Sequence, residues 1–184
     1  ALAGILDEIA ALGLAATGTE ELKRGLREAK LRAALTIGLA DIADLWTLEE
    51  VTGGLSDLAE AACVAACDHL LGEAAGKGDL SLPDGSNPSA GSGFAVIGMG
   101  KLGGRELNYS SDIDLIVLYD EELVDYTGRQ SPQHFFVRLT QAMVAILQDR
   151  TSDGYVFRTD LRLRPDPGAT PVALTMGAAE GYYG

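Results

Sequence analysis

The sequence is short of basic residues, of cysteine and of long apolar runs, and each scarcity excludes a class of protein. Fourteen lysines and arginines stand against 27 acidic residues, which leaves a formal net charge of −13. So acidic a balance argues against non-specific binding to nucleic acid or to anionic membranes. No apolar run reaches the roughly 18 residues of a membrane span. We therefore expect a cytoplasmic protein that binds neither nucleic acid nor membrane.

The two cysteines are too few and too close together for a disulfide framework. Cys63 and Cys67 are four residues apart in a helical pattern, with His69 nearby. One helical turn offers a metal only these two soft ligands, because His69 lies on another face. Two thiols on the buried face of an amphipathic helix are the interpretation that we favour.

The remaining composition is that of a folded chain: 47% of the 184 residues are hydrophobic. This length is sufficient for one good core or for a domain with a helical appendage. Residues 1–75 are helical in pattern, residues 76–93 form a flexible connection rich in Gly, Ser and Pro, and residues 94–184 carry strands. Because the chain lacks an initial Met and stops within a helical pattern, we expect a fragment that is truncated at its C-terminus.

Local signals predict the helices of the first region. Thr19 is a candidate cap for one helix, residues 47–50 form a capping-box pattern for the next, and Ser56 is a candidate start for a third. The apolar positions of the first of these helices include Leu22, Leu26, Leu31 and Leu35.

The second half predicts the order strand, strand, helix, strand. The segments FAVIGM (94–99) and DLIVLYD (114–120) are apolar and rich in β-branched residues. Ser131 and Pro132 form a helix start, and residues 155–164 alternate between apolar and polar side chains, which predicts a strand. Helices followed by this order predict an α+β fold and not repeated βαβ units.

The turn after the first strand contains a Gly-x-Gly-x-x-Gly pattern at residues 98–103, which is typical of dinucleotide-binding sites. Asp120 lies where a ribose-binding acid is expected. However, only eight residues separate Gly103 from Asp112, and a parallel crossover needs about a dozen or more. We therefore predict an antiparallel pair and not a dinucleotide site. A tight turn without a ligand would explain the glycines but not the aspartates that follow.

Two of these aspartates, Asp112 and Asp114, point to the same face of the second predicted strand. Neighbouring carboxylates repel each other unless a cation lies between them, and oxygen ligands favour Mg²⁺ or Mn²⁺. Asp160, in the third predicted strand, is the candidate third ligand. Its alternative role is that of an ion-pair partner for the arginines around it.

These features together are typical of metal-assisted nucleotidyl transfer: the glycine turn, Ser110 and Ser111 beside it, and the three acids. The Gly-Gly turn followed by Ser-Asp-x-Asp resembles the nucleotidyltransferase superfamily typified by DNA polymerase beta. More closely, GMGKLGGRELNYSSDIDLIVLYD with FRTDLRLRP resembles the glutamine synthetase adenylyltransferase family. The form Asn-Tyr-Ser-Ser-Asp-Ile-Asp at residues 108–114 is similar to that family's N-terminal, adenylyl-removing half.

The resemblance implies a polymerase beta-like fold, with a small mixed or antiparallel sheet preceded by helices. It also implies phosphorolytic removal of AMP from a tyrosine of glutamine synthetase, with inorganic phosphate as substrate and ADP as product, and regulation by a PII signalling protein. The implied metal ligands and catalytic residues are Asp112, Asp114 and Asp160. The implied nucleotide- or phosphate-binding residues are Gly103, Gly104, Ser110, Ser111, Lys101, Arg105, Arg162 and Arg164. For Lys101 and Arg105, plain solvation is an equal alternative.

Two other functions stay open at this point. A related domain could transfer AMP forward, from ATP to the unmodified protein. A catalytically silent domain could bind nucleotide only and act in regulation.

Overall fold

The computed structural model describes residues 1–164 and 166–183. The helices within this part of the chain are α1 (Leu2–Ala15), α2 (Thr19–Ile42), α3 (Leu48–Gly76), α4 (Gly100–Gly103), α5 (Pro132–Gln148) and α6 (Met176–Tyr183). The strands are β1 (Leu80–Ser81), β2 (Phe94–Met99), β3 (Ile113–Tyr119), β4 (Asp125–Tyr126), β5 (Thr159–Asp160) and β6 (Leu174–Thr175). The predicted α+β architecture, with helices ahead of a small mixed sheet, is confirmed. No helix in the described ranges is long and apolar enough to cross a membrane.

The start of α3 is set by the predicted capping box. The Thr47 hydroxyl accepts the Glu50 N–H at 3.2 Å, and the Glu50 carboxylate accepts the Thr47 N–H at 2.7 Å. Ser56 was wrongly predicted as a helix start. It lies inside α3, where its hydroxyl donates to the carbonyl of Thr52 at 2.8 Å, so the backbone continues without a new N-terminus.

The predicted cap of α2 is also wrong. Thr19 is the first residue of the helix, and the N-cap position belongs to Gly18, which makes no side-chain cap hydrogen bond. The hydroxyl of Thr17 instead donates to the Glu21 carboxylate at 2.6 Å. The Glu21 carboxylate, in the first turn of the helix, thus holds Thr17 in place ahead of the helix, although no hydroxyl caps the helix.

The apolar positions of α2 differ in their burial. Leu22 and Leu26 are buried, whereas Leu31 and Leu35 are 70% and 60% exposed. Leu31 follows Leu26 by five residues, well over one turn, and therefore lies on another face. The buried series continues in steps of three or four residues through three alanines and one isoleucine: Ala29, Ala33, Ile37 and Ala40.

Residues 77–93 contain β1, which pairs antiparallel with β4, and otherwise consist of turns and bends. The backbone N–H of Ser89 donates to the carboxylate of Asp68 on α3 at 2.9 Å, which ties this segment to the helices. The division of the chain into domains at this segment stays a prediction.

The sheet is organised around β3. Strand β2 pairs antiparallel with β3 from Phe94↔Tyr119 to Met99↔Asp114, which confirms the antiparallel prediction for the glycine turn. Strands β5 and β6 both run parallel to β3, at its beginning and its end. The long strand predicted over residues 155–164 is wrong, because only Thr159–Asp160 forms a strand. The Asp160 carboxylate accepts the N–H of Arg162 at 2.8 Å, and this short-range bond turns the chain out of the sheet.

The two faces of β3 belong to different clusters of buried residues. One face carries Ile113, Leu115, Val117 and Tyr119, which are part of the main core together with α3 and α5. The Phe136 ring of α5 stacks on Tyr119 and on Phe94, with ring centroids 4.6 Å and 5.6 Å apart. The other face carries Ile116 and Leu118, which pack in a smaller cluster with β6 and α6.

Candidate functional site

The three predicted acidic residues lie together at the beginning of β3. Asp114 and Asp160 are in-register neighbours on the parallel strands β3 and β5. Asp112 immediately precedes β3 and is two residues from Asp114, which puts their side chains on the same side of the chain. The Asp160 side chain is 18% exposed, whereas the Asp112 side chain is half exposed. The chain fold therefore concentrates three carboxyl groups at one end of the sheet.

Two arginines neutralise part of this negative charge. Arg162 donates from Nε to both carboxylate oxygens of Asp160, at 3.0 and 2.9 Å. This bond and the backbone N–H of Arg162 lower the pKa of the Asp160 carboxyl. Asp160 is the largest influence that raises the pKa of Arg162, and the charges of Asp112 and Asp114 raise it further. All three carboxylates therefore act on one guanidinium.

Arg158 also belongs to this charged cluster, although the sequence did not place it among the candidate site residues. Its guanidinium pairs with the Asp112 carboxylate, and its Nη2 donates to the carbonyl of Ser110 at 2.9 Å. The hydrogen bond to Asp112, together with the charge of that carboxylate, raises the pKa of Arg158. Its position among the alternating polar residues of the strand predicted over residues 155–164 was a signal, but its partner is 46 residues away in sequence.

The donor atoms and backbone positions of the site fit a divalent cation, although the carboxylates of Asp112 and Asp160 are paired with arginines. Three carboxylates offer the oxygen ligands that Mg²⁺ and Mn²⁺ prefer. Gly100 has a φ of 53°, and a Cβ at this position would lie 2.9 Å from Oδ2 of Asp114, so the glycine leaves room for that carboxylate. Within the described ranges, no three His, Cys, Asp or Glu side chains already form a metal-binding group. Binding of a cation by all three carboxylates therefore requires Arg162 to release at least one of the two Asp160 oxygens that it holds, whereas Arg158 holds only Oδ1 of Asp112.

The glycines of the turn have a packing role that the structure makes explicit. A Cβ on Gly103 would lie 2.6 Å from the carbonyl oxygen of Gly98, and one on Gly98 would lie 2.9 Å from the Leu102 side chain. Gly104 follows α4 and donates its N–H to the carbonyl of Gly100 at 3.0 Å. These glycines let α4 fold tightly onto the end of β2, and a phosphate contact by Gly103 or Gly104 stays a prediction.

The loop that carries the two serines is organised by residues that the sequence did not single out. The Asn108 side-chain oxygen accepts the Ser111 hydroxyl at 2.7 Å and the Ser110 N–H at 3.3 Å. The Tyr109 hydroxyl donates to the carboxylate of Asp41 on α2 at 2.8 Å. The serines thus lie in a loop that is held on one side by Arg158 and on the other by α2.

The other predicted phosphate-binding residues differ in how they relate to the carboxylates. Lys101 is exposed on α4. Arg105 is turned towards α3, where it pairs with Asp57 and lies 3.6 Å from Glu60. Arg164 donates to the carbonyls of Thr170 and Pro167 at 3.2 and 2.8 Å and so closes its own loop. The structure therefore brings Arg162 to the acids, and it gives the guanidiniums of Arg105 and Arg164 other partners.

The two cysteines lie on the buried face of α3, as the buried-thiol interpretation predicted. Cys63 and Cys67 are buried and free, and burial raises the pKa of Cys63 to about 12. They line a cavity of about 470 Å³ that is bounded on its other sides by β2 and α4. His69 does not line this cavity, and its closest acidic partner is Glu73, at 3.7 Å.

Comparison with known proteins gives one consistent family. The sequence matches the family described as glutamate-ammonia ligase adenylyltransferase over residues 4–184. It is 53% identical, over 184 residues, to a protein of Brucella suis biovar 1 named bifunctional glutamine synthetase adenylyltransferase/adenylyl-removing enzyme. Proteins of the same name from Xanthobacter autotrophicus and Rhizobium meliloti are 51% and 53% identical over 183 and 169 residues.

The similarity covers nearly all of this chain but a small part of those relatives. The matched region is 100% of the chain and 19% of the Brucella protein, 99% and 18% for Xanthobacter, and 92% and 17% for Rhizobium. The chain thus spans about a fifth of the length of the relatives that it matches.

Proposed function

The chain belongs to the glutamate-ammonia ligase adenylyltransferase family, and from this we propose that residues 94–184 form the core of an adenylyl-removing nucleotidyltransferase. The proposed reaction is phosphorolysis of adenylylated glutamine synthetase. An oxygen of inorganic phosphate attacks the phosphorus of the tyrosine-bound AMP, the bond from phosphorus to the tyrosine oxygen breaks, and that oxygen gains a proton. The products are ADP and unmodified tyrosine. The observation that carries this proposal is the pairing of Asp114 with Asp160 beside Asp112.

We assign Asp112, Asp114 and Asp160 as the residues that would hold Mg²⁺ or Mn²⁺. When bound, the cation supplies positive charge to the oxygens of the reacting phosphoryl groups. The pairing with Arg158 and Arg162 supports this assignment, because it shows that the clustered acids bind positive charge. Guanidiniums that release carboxylates become donors for anionic oxygens, and arginine suits phosphate because its N–H groups form a fork.

The glycine turn and the serine loop are the proposed contacts for phosphate oxygens. Gly103 supplies a backbone N–H group, Ser110 supplies a hydroxyl, and Lys101 supplies an exposed ammonium group. Gly104 and Ser111 donate to phosphate only if they leave the Gly100 carbonyl and the Asn108 side chain. Arg105 and Arg164 likewise join them only if they leave their present partners.

The name of the relatives joins two activities, and it supports a second candidate function. In this alternative the same site transfers AMP forward, from ATP to a tyrosine of unmodified glutamine synthetase, and releases pyrophosphate. The carboxylates and arginines would serve either direction, because both reactions exchange an oxygen on the same type of phosphorus. We also propose a cytoplasmic location and regulation by a PII protein for the longer enzyme.

A paired assay separates these functions. The chain is mixed with adenylylated glutamine synthetase, phosphate and Mg²⁺ and ADP is measured; in parallel, it is mixed with unmodified glutamine synthetase and ATP and incorporated AMP is measured. ADP release alone supports the proposal, and AMP incorporation alone supports the alternative. The matched control variant is Asp149→Asn, which removes an exposed acid that pairs with Lys23 on α2.

Nucleotide protection tests the site without turnover. ATP or ADP with Mg²⁺ is expected to raise the melting temperature, and NAD is not. Protection without turnover in either assay would instead indicate a nucleotide-binding regulatory domain. Metal-independent protection by NAD would contradict the assignment of the glycine turn to phosphate.

A further inference from the structure

A stripe of large apolar side chains lies exposed along α2 and the turn that follows it. Six leucine and isoleucine residues form this α2 stripe, and each is between 58% and 85% exposed: Leu31, Leu35, Leu39, Ile42, Leu45 and Leu48. Single exposed apolar residues are ordinary, whereas a contiguous exposed patch marks an interaction surface. The opposite face of α2 packs through its alanines into the main core, so the stripe is a second apolar face of one helix.

The stripe forms an apolar seam along one side of α2. Leu31, Leu35, Leu39 and Ile42 follow each other at intervals of four, four and three residues, which is the spacing of one apolar face of a helix. Position 38 is a glycine, and a Cβ placed there would have no atom within 4 Å. It leaves a gap in the seam into which a neighbouring helix can fit closely. The pattern therefore indicates a helix as the occupant.

The rim of the stripe has a charge that its occupant must complement. Asp41 and Asp44 lie at the end of α2, and Glu49 and Glu50 lie at the start of α3, so the end of the stripe near Ile42 is acidic. A partner helix with basic residues at this end would be attracted, and an acidic helix would be repelled. In a chain with a net charge of −13, this repulsion also disfavours a second copy of the same surface.

We propose that the α2 stripe is the docking surface for an amphipathic helix from another part of the same, longer polypeptide. The relatives that match this chain are about five times its length, because the match covers 19% of the Brucella protein. A tethered helix binds at a high effective concentration, so a single apolar seam is sufficient to hold it. This proposal is independent of the direction of the reaction.

The hydrogen bond between Asp41 and Tyr109 connects the α2 stripe to the candidate site. Asp41 lies at the end of the stripe, and its carboxylate accepts the hydroxyl of Tyr109. Tyr109 belongs to the loop that carries Ser110 and Ser111, so a helix seated on the stripe lies beside the end of α2 that anchors this loop.

The test compares this chain alone with a polypeptide of the relatives' length that contains it. Leu39→Cys is introduced into both, and the rate of labelling by a thiol reagent is measured; Cys63 and Cys67 are buried and label slowly in the folded state. Docking is expected to slow the labelling of Leu39→Cys by about tenfold or more in the longer polypeptide. The matched control is Leu123→Cys, at an exposed position away from α2, which is expected to label equally in both.

A second pair of variants detects the same contact without labelling. Leu35→Glu is expected to lower the melting temperature of the longer polypeptide by several degrees and to leave that of the chain alone unchanged. Leu123→Glu is expected to change neither. Equal labelling of Leu39→Cys in both proteins would overturn the proposal. So would protection that depends on protein concentration and accompanies a dimeric mass, because the occupant would then be a second copy.

Discussion

The two faces of β3 show how one strand can serve stability on one side and chemistry on the other. On the core face, Leu115, Val117 and Tyr119 are at most 2% exposed and pack against α3 and α5. On the opposite face, Asp112 and Asp114 stand at the beginning of the strand among arginines, and apolar residues occupy its end. Because side chains alternate along a strand, a shift of one residue in register would exchange the two sets.

The two faces differ in the free energy of removing their side chains from water. The core face removes apolar area from water, which stabilises the fold in proportion to that area. The acidic face gains nothing from burial, since a carboxylate loses hydration there and needs a cation in return. Arg162 supplies that cation to Asp160, and Arg158 supplies it to Asp112. The following changes test whether the two faces are as independent as this comparison suggests.

The largest expected effect comes from the core face. Phe136→Ala removes the ring that stacks on Tyr119 and Phe94, and loss of a buried aromatic side chain typically costs about 3–5 kcal/mol in the free energy of unfolding. Urea denaturation measures this loss. A loss below about 1 kcal/mol would show that the core face is not packed as described.

The next effect belongs to the acidic face. If Asp160 completes the catalytic site, Asp160→Asn should reduce phosphorolysis by the longer enzyme at least about a hundredfold, equivalent to about 2.7 kcal/mol of transition-state stabilisation. Circular dichroism should show an intact fold. Asp149→Asn, the control, should retain activity. A loss below about fivefold would leave Asp160 as an ordinary ion-pair residue.

The two faces also differ in how far sequence alone predicts them. The antiparallel pairing of β2 with β3 was predictable because it depends on a short loop, a local property. The neighbourhood of Asp114 and Asp160 depends on a parallel pairing between distant segments. The residue pattern made Asp160 a candidate third ligand, and the resemblance implied its place beside Asp112 and Asp114. The pair of Arg158 and Asp112 was not predicted, because their separation in sequence leaves no local pattern.

The helical side shows a similar limit. The sequence pattern of α2 includes Leu31 and Leu35 among its apolar positions, but the helix packs through Ala29 and Ala33. Small residues let helices approach closely, and a pattern that weighs hydrophobicity by size overlooks them. The proposed docking on the α2 stripe would cover the exposed leucines.

A smaller effect tests whether cation and arginine compete for the acidic face. A ligand that binds only the folded state stabilises it by RT ln(1 + [L]/Kd), about 1.4 kcal/mol at a tenfold excess over Kd. Mg²⁺ or Mn²⁺ should therefore raise the melting temperature, and Asp112→Asn should abolish this shift while it leaves the metal-free protein folded. A calorimetric scan with and without metal measures both. An unchanged metal-induced shift in the variant would remove Asp112 from the proposed ligand set.

The smallest effect concerns pH. Arg162 lowers the pKa of Asp160 in the folded state, so this acid binds its proton more weakly when the protein is folded. Its contribution to stability is therefore complete above the unfolded-state pKa of about 3.9, and it disappears as the pH falls through the lower, folded-state value.

The original chain should consequently be more stable than Asp160→Asn at neutral pH, and the difference between their melting temperatures should shrink below about pH 4. The core face has no such dependence, because its residues do not titrate in this range. A difference that stays constant from pH 7 to pH 3 would show that Asp160 acts through packing and not through its charge, and the two faces of β3 would then be more alike than their residues suggest.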